Sequence, residues 1–293
     1  MLPAEISDYL HYRMQEDDGH PLDIISVKSV SGGSINTSFH VKCKQGDFFL
    51  KYNYADRFPG MFRAEAEGLK TLESCGCIRV PRVIHWADTG IYSFLLLEYL
   101  HPCLPAGDFW ESFGMKTAVL HSHTSTHFGF SSDNYIGSLK QWNDLHETWS
   151  SFLINQRLNP MAEQAHASGL MSAQDLKWLG LIYKRLPDLY PEEPPSLLHG
   201  DLWSGNFLSA TDGTPCLIDP AVYYGHREMD IAMTFLFGGF SPVFYEAYNH
   251  QHPLEPGWKS RIGLGQLYPL LVHVNLFGEG YMARVRQVMK QYL

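Results

Sequence analysis

Cysteine is scarce in this chain of 293 residues: five in all, standing singly apart from Cys75-Gly-Cys77. That spacing builds neither a disulfide framework nor a zinc ribbon, so a reducing cytoplasm is the expected setting. Long apolar runs are lacking too. None approaches the roughly 20 residues that a bilayer demands, so no membrane association is expected. The opening residues, Met1-Leu-Pro-Ala-Glu5, carry no basic cluster followed by an apolar stretch, and no signal peptide is expected. Basic residues are in the minority. Lys and Arg number 22 against 31 Asp and Glu, a formal net charge of −9 that argues against a nucleic-acid partner. Repeats and low-complexity tracts are missing as well. What is left is the composition of an ordinary globular protein, long enough for two lobes and a substantial core.

The most informative stretch is Leu197-Leu-His-Gly-Asp-Leu-Trp-Ser-Gly-Asn206, followed by Pro215-Cys-Leu-Ile-Asp-Pro220. Short apolar runs at 196–198 and 216–218 each end in a polar segment. The first presents Asp201 and, five residues on, Asn206; the second presents Asp219. One carboxylate to orient an attacking hydroxyl, with two hard oxygen ligands for magnesium, is what phosphoryl transfer needs. Any one of these residues alone reads as a turn former. Their order and spacing carry the chemical reading. His121, His123 and His127 offer an i, i+4 pair, but no third ligand joins it, so they read as core or surface histidines.

Toward the N-terminus, apolar spacing predicts a helix over 4–18, then strands over 24–30, 37–43, 47–52, 80–86 and 91–99. Gly32, Gly33 and Ser34 lie between the first two strands. Their backbone could close over phosphates, or they could form a plain hairpin. A helix over 56–74 carries the stripe Phe62, Ala66, Leu69 and Leu72. Glu65 falls on that stripe and Glu67 nearly opposite. A carboxylate facing a core needs a partner, and Lys51 on the third strand would supply it; Glu67 reads as a solvated charge. Phe94-Leu-Leu-Leu97 reads as a central buried strand. Glu98-Tyr99-Leu100 then meets His101-Pro102, where main-chain groups of a hinge could bind an adenine edge. Further helices are expected over 108–123, 172–186, 231–237, 262–277 and 279–292. Ser172 and Asp230 are the expected N-caps of two of them, and 187–195 is read as a proline-rich connector.

His-Gly-Asp at 199–201, Asn206 and Asp219 resemble the catalytic loop and metal-binding segment of the protein-kinase-like superfamily, with His-Gly-Asp in place of His-Arg-Asp. With Leu-Trp-Ser-Gly-Asn at 202–206, a Gly-Gly-x-x-Asn turn at 32–36 and His-Val-Asn-Leu-Phe-Gly at 273–278, the chain resembles the fructosamine kinase (ketosamine-3-kinase) family. The resemblance implies an α+β, bilobal, protein-kinase-like fold. Residues 1–100 would form a nucleotide-binding lobe with an antiparallel sheet and a helix; residues 101–293 would form a mainly helical catalytic and substrate-binding lobe. It implies ATP and Mg2+ as cofactors. Gly32, Gly33 and Ser34 would cover the phosphates, with Lys51 on them and Glu65 orienting Lys51. Glu98, Tyr99 and Leu100 would be the hinge. Asn206 and Asp219 would hold the metal, Asp201 would serve as base, and Asp230 would support the loop. Trp203 either stacks on substrate or packs its own loop. Asp133-Asn134 and Gln141-x-Asn143 also match family stretches and read as caps and turns. The implied activity is phosphorylation of the 3-hydroxyl of ketosamines, the sugar adducts on amines or protein lysines, in deglycation. An aminoglycoside- or choline-type kinase is the alternative, and a nucleotide-binding pseudokinase a further one. Ser34 stands where some relatives carry cysteine, which leaves that turn without a thiol. A monomer is expected, with a dimer left open.

Overall fold

The computed structural model describes residues 2–14, 21–30 and 35–293. Helix α1, Ala4–Asp8, ends in a π-helical turn over Tyr9–Arg13. Ile6 and Leu10, four apart, are fully buried on its inner face. Five antiparallel strands follow: β1 (Ile24–Val30), β2 (Thr37–Cys43), β3 (Gly46–Tyr54), β4 (Val83–Asp88) and β5 (Tyr92–Glu98), in the order β1-β2-β3-β5-β4. Helix α2, Met61–Ser74, connects β3 to β4. It begins five residues later than the periodicity predicts. Pro59 disfavours helical backbone at the residue before it, and Gly60 takes φ +75°, so the segment from 56 is a turn.

The run 94–97 shows why alternation is absent from β5. Phe94 and Leu96 pack with Ile6, Leu10, Phe39, Val41 and Leu50, while Leu95 and Leu97 pack with Phe62, Ala66 and Leu69. Successive strand residues point to opposite faces, and here a helix covers each face, so every position is apolar.

The remainder is mainly helical. It comprises α3 (Phe109–His121), α4 (Trp149–Phe152), a π-helical turn (Leu153–Leu158), α5 (Asn159–Ala167), α6 (Ala173–Leu189), α7 (Glu228–Thr234), α8 (Pro242–Gln251), α9 (Trp258–Phe277) and α10 (Met282–Gln291). Short antiparallel pairs are set among these helices: β6 (Asn134–Ile136) with β7 (Leu139–Gln141), β8 (Ser196–Leu198) with β11 (Tyr223–Gly225), and β9 (Phe207–Ser209) with β10 (Pro215–Leu217). Helix α9 is the hub, its Leu264, Leu267 and Leu271 packing with Ile182, Leu186, Val285 and Met289. A second cluster joins sheet and helices: Phe62, Leu69 and Leu97 share it with Leu120, Leu197, Leu217 and Phe244.

Two expectations need correction. Helix α6 runs on to Leu189 with Pro187 inside it, so the connector starts later. Pro187 forgoes the bond that an ordinary residue would donate to the carbonyl four residues back, yet the helix continues for two residues beyond it. Asp230 is not an N-cap: α7 starts at Glu228 and Asp230 is its third residue. Its carboxylate is engaged elsewhere, as described below. Ser172 does cap α6. Its hydroxyl accepts from the Asp175 amide (3.2 Å), and Asp175 accepts in return from the Ser172 amide (2.9 Å).

Candidate active site

The two hairpin-like pairs bring both polar segments to one place. The 199–206 loop joins β8 to β9, and Asp219 lies between β10 and β11. The segments are stitched together where they pass: Ala221 N–H donates to His199 O (2.9 Å) and Ile218 N–H to Asn206 O (3.0 Å). Gly200 permits this approach. Its φ is +84°, and a Cβ there would lie 2.0 Å from Ala221 O, closer than any side chain tolerates. Asp219 has φ +52°, the left-handed region, the single non-glycine among the described residues to do so.

From the sheet side, Lys51 reaches the same point. It is buried, with Nζ 2.5 Å from Glu65 and 2.8 Å from Asp219. Burial alone would lower the Lys51 pKa, but the two carboxylates outweigh it and hold the ammonium charged. Burial pushes the Glu65 carboxyl up to about 7 in spite of Lys51. Asp219 is desolvated too, yet Lys51 keeps it below its ordinary value. The expected Lys51–Glu65 pair is therefore present, with Asp219 as a third member. Glu67 differs in one respect from a purely solvated charge: it accepts from Ser132 Oγ (3.0 Å).

Asp201 accepts from Asn206 Nδ2 through Oδ2 (2.8 Å), and the same Nδ2 donates to Asp201 O (2.9 Å). Asn206 therefore turns its amide toward Asp201 and leaves Oδ1 as its acceptor face. Burial raises the Asp201 carboxyl to about 7, with hydrogen bonds from Asn206 and Trp203 opposing and the charges of Asp219 and Asp230 adding. Asp230 secures the loop from behind. Its Oδ2 accepts from His199 N–H (2.7 Å) and its Oδ1 from Gly200 N–H (2.9 Å). His121 Nε2 also lies 3.2 Å from Oδ2, and His121 Nδ1 2.8 Å from the Tyr248 hydroxyl. His199 donates through Nε2 to Ile218 O (2.9 Å), which makes Nδ1 the acceptor for Asp201 N–H (3.3 Å). Burial lowers its pKa, consistent with this neutral form.

These groups line one cleft of about 510 Å³ between sheet and helices. At one end lie Val30, Phe49, Leu97, Glu98, Tyr99, Leu100, Leu208 and Ile218; at the other lie Tyr135, Ile136, Trp203, Val272, His273, Leu276 and Phe277. Lys51, Glu65, Asp201, Asn206 and Asp219 lie on the same wall set. Gly32, Gly33 and Ser34 lie outside the described residues. In the segment expected to be the hinge, the Glu98 side chain accepts from Arg79 (2.8 Å), and Tyr99 N–H donates to Asp47 O (3.3 Å). Trp203 lines the cleft and packs its loop at once: its ring stands 5.5 Å from that of Phe237, and a Cβ on Gly205 would lie 2.3 Å from it. Asn206 Oδ1 and the Asp219 carboxylate are hard donors on one wall, a set that suits magnesium completed by phosphate oxygens and water. No group of three or more His, Cys, Asp or Glu that could hold a metal occurs among the described residues.

Composition and spacing understated one group. Asn134, Gln141 and Asn143 are buried links of a network, not solvent-facing caps. Asn134 donates to Val222 O (2.8 Å) and Gln141 to Ala221 O (3.1 Å), so they hold the segment just after Asp219. Asn143 Oδ1 accepts from Arg157 (2.7 Å), which is fully buried with its guanidinium 4.1 Å from the Tyr223 ring centre and 4.5 Å from that of Phe152. The amides were visible as a cluster. The cation is brought to them only by tertiary packing.

Fold and site together are those of a protein-kinase-like phosphotransferase. Solved structures with 13–16% identity share that fold, among them an amicoumacin kinase (TM-score 0.60, 99% of this chain and 96% of that one) and aminoglycoside phosphotransferase APH(4)-Ia (TM-score 0.62, 99% of each). Within that class the chain belongs to the fructosamine kinase family, whose model matches residues 7–293. A probable ketoamine kinase of Enterococcus faecium is 40% identical over 91% of this chain and 95% of its own. A chloroplastic protein-ribulosamine 3-kinase of Oryza sativa subsp. indica is 35% identical over 94% of this chain and 81% of its own. A solved structure from Thermobifida fusca, provisionally named a fructosamine-3-kinase, superposes with TM-score 0.88 at 34% identity, covering 97% and 98% of the two chains. The protein is thus a ketosamine kinase, a phosphotransferase acting on a ketosamine hydroxyl. No helix among the described residues is long and apolar enough to cross a membrane.

Proposed function

We propose that the protein transfers the terminal phosphoryl group of ATP, with Mg2+, to the 3-hydroxyl of ketosamines and thereby reverses glycation in the cytoplasm. The observation that carries this reading is Lys51 held between Glu65 and Asp219 on the cleft that also contains the Asp201–Asn206 pair. Residues 1–100 form the nucleotide lobe and residues 101–293 the acceptor lobe. Adenine rests against the hinge at Glu98, Tyr99 and Leu100; Gly32, Gly33 and Ser34 are assigned to the phosphates on their sequence pattern. Lys51 contacts the phosphates, and Glu65 keeps it aimed. Asn206 Oδ1 and Asp219 hold the metal, which when bound neutralises phosphate charge. Asp201 accepts a hydrogen bond from the acceptor hydroxyl and takes its proton late in a loose transition state. Asn206 Nδ2 and the Asp230-anchored backbone fix the angle at which Asp201 meets that hydroxyl.

The substrate chemistry makes the product self-clearing. A 3-phosphate sits β to C1, whose protons are acidified by the C2 carbonyl. Loss of a C1 proton and expulsion of phosphate from C3 give an unsaturated adduct that water cleaves from the amine. A nucleotide-coupled assay tests the assignment. Turnover of ribulosyl-lysine and fructosyl-lysine, with amine and inorganic phosphate released, is expected. Preference for choline, homoserine or an aminoglycoside would remove it, and absence of nucleotide consumption would indicate a pseudokinase.

A further inference from the structure

The acceptor end of the cleft continues outward as a chain of aromatic rings. Trp203 stands 5.5 Å from Phe237, Phe237 is 4.9 Å from His273, and His273 is 5.4 Å from Phe277. Phe237 and Phe277 remain 41% and 58% exposed, unusual for rings that could pack. Trp203, His273 and Phe277 all line the cleft. His273 donates through Nδ1 to Pro269 O (2.7 Å), which leaves Nε2 as an acceptor. Phe277 is the last residue of α9, which stops at Gly278 with φ +90°. Unsatisfied carbonyls and the negative end of the helix dipole collect there. Aromatic faces, a neutral acceptor nitrogen and a helix C-terminus all favour one kind of guest: an organic cation with an apolar body.

A ketosamine is such a guest. Its sugar must sit at Asp201, its nitrogen is a secondary ammonium, and the nucleotide end of the cleft is taken. The carrier of that nitrogen must therefore leave along the acceptor end. We propose that Phe237, His273 and Phe277 form a subsite for the amine carrier, selecting carriers with an extended alkyl or aromatic body next to the cationic nitrogen. This rests on the ketosamine reading above. His273 Nε2 accepts from the ammonium N–H, and the two phenylalanines cover the carbon chain beyond it. Recognition is by ring faces and a neutral nitrogen, and is weaker for small amines than for lysine side chains.

The test uses the full chain and ketosamines of one sugar on methylamine, butylamine, benzylamine and Nα-blocked lysine. In wild type, kcat/KM should rise with carrier size. Phe277→Ala should raise KM for the benzylamine and lysine adducts by roughly fivefold more than for the methylamine adduct, about the effect of one cation–π or stacking contact. His273→Phe, which keeps a ring but removes the acceptor, should raise KM for every ketosamine relative to the free ketose. In Phe277→Ala, equal changes for all carriers, or none, would overturn the subsite while leaving the kinase intact. Phe237→Leu gives a second reading if Phe277→Ala melts early. Loss of a concentration-dependent dimer in Phe277→Ala, with carrier preference unmoved, would assign the surface to self-association instead. Failure of wild type on every ketosamine would overturn the proposed function, and the subsite with it.

Discussion

Asp201, the proposed base, is asked to be two things at once, desolvated and ionised. Burial raises its carboxyl to about 7, close to where a general base is most useful. Asp201→Asn keeps the shape and the contact with Asn206 but removes the proton acceptor. Its kcat should fall at least ~100-fold while nucleotide affinity, followed by fluorescence titration, holds. The base acts deprotonated, so kcat/KM should rise with pH and level off above about 7. Glu65 is also raised to about 7, and its protonation loosens the hold on Lys51. Two carboxyls titrating together should give an acid limb steeper than slope one in a pH–rate profile. A limb near pH 4 would show that neither group is perturbed. Asp230 illustrates what sequence does and does not disclose about one residue. Its place before an apolar run suggested a cap; its actual work, gripping the amides of His199 and Gly200, depends on a helix end and a loop 30 residues apart meeting in space.

At the scale of elements, helix boundaries follow local chemistry where a cap exists. Ser172 marks the start of α6, and its reciprocal bonds with Asp175 are extended by Arg286, which donates twice to Asp175 (2.9 Å each). Ser172→Ala should cost about 1 kcal/mol in urea denaturation, the usual worth of an N-cap. Arg286 and the Ser172 donors hold the Asp175 carboxyl down to about 2. A depressed carboxyl stabilises the fold above its unfolded pKa near 4, and that contribution drains away as pH falls from there toward 2. Asp175→Asn should flatten this part of the stability–pH curve. Where no cap exists, periodicity misleads. It carried α2 back through Pro59 and Gly60, and it stopped α6 short at Pro187. The five strands at the front were legible from β-branched and aromatic runs, and β5 from its unbroken apolar stretch.

For the molecule as a whole, the motif residues in the second half announced the chemistry, and the pairing of Lys51 with Glu65 could be argued from a single helical stripe. What stayed hidden was how the pieces are kept in register. Arg157 is the clearest case: nothing in its neighbourhood along the chain says that it will be entombed. Arg157→Met should lower stability by about 2–4 kcal/mol, because Asn143 Oδ1 and Trp142 O lose a charged donor. Chemical denaturation would measure it.

That entombed guanidinium has a consequence for how the cleft reports on its contents. Among the described residues its charge is met by no carboxylate but by dipoles and ring faces drawn from the helices, from the loop at Trp142 and Asn143, and from β11 at Tyr223. The strand carrying Tyr223 begins four residues after Asp219. Nucleotide and metal held at Asp219 would therefore load a segment that rests, four residues on, against the Arg157 guanidinium. Heat resistance of the entire helical half should climb when nucleotide and metal arrive, and Arg157→Met should sever that link before it ends turnover.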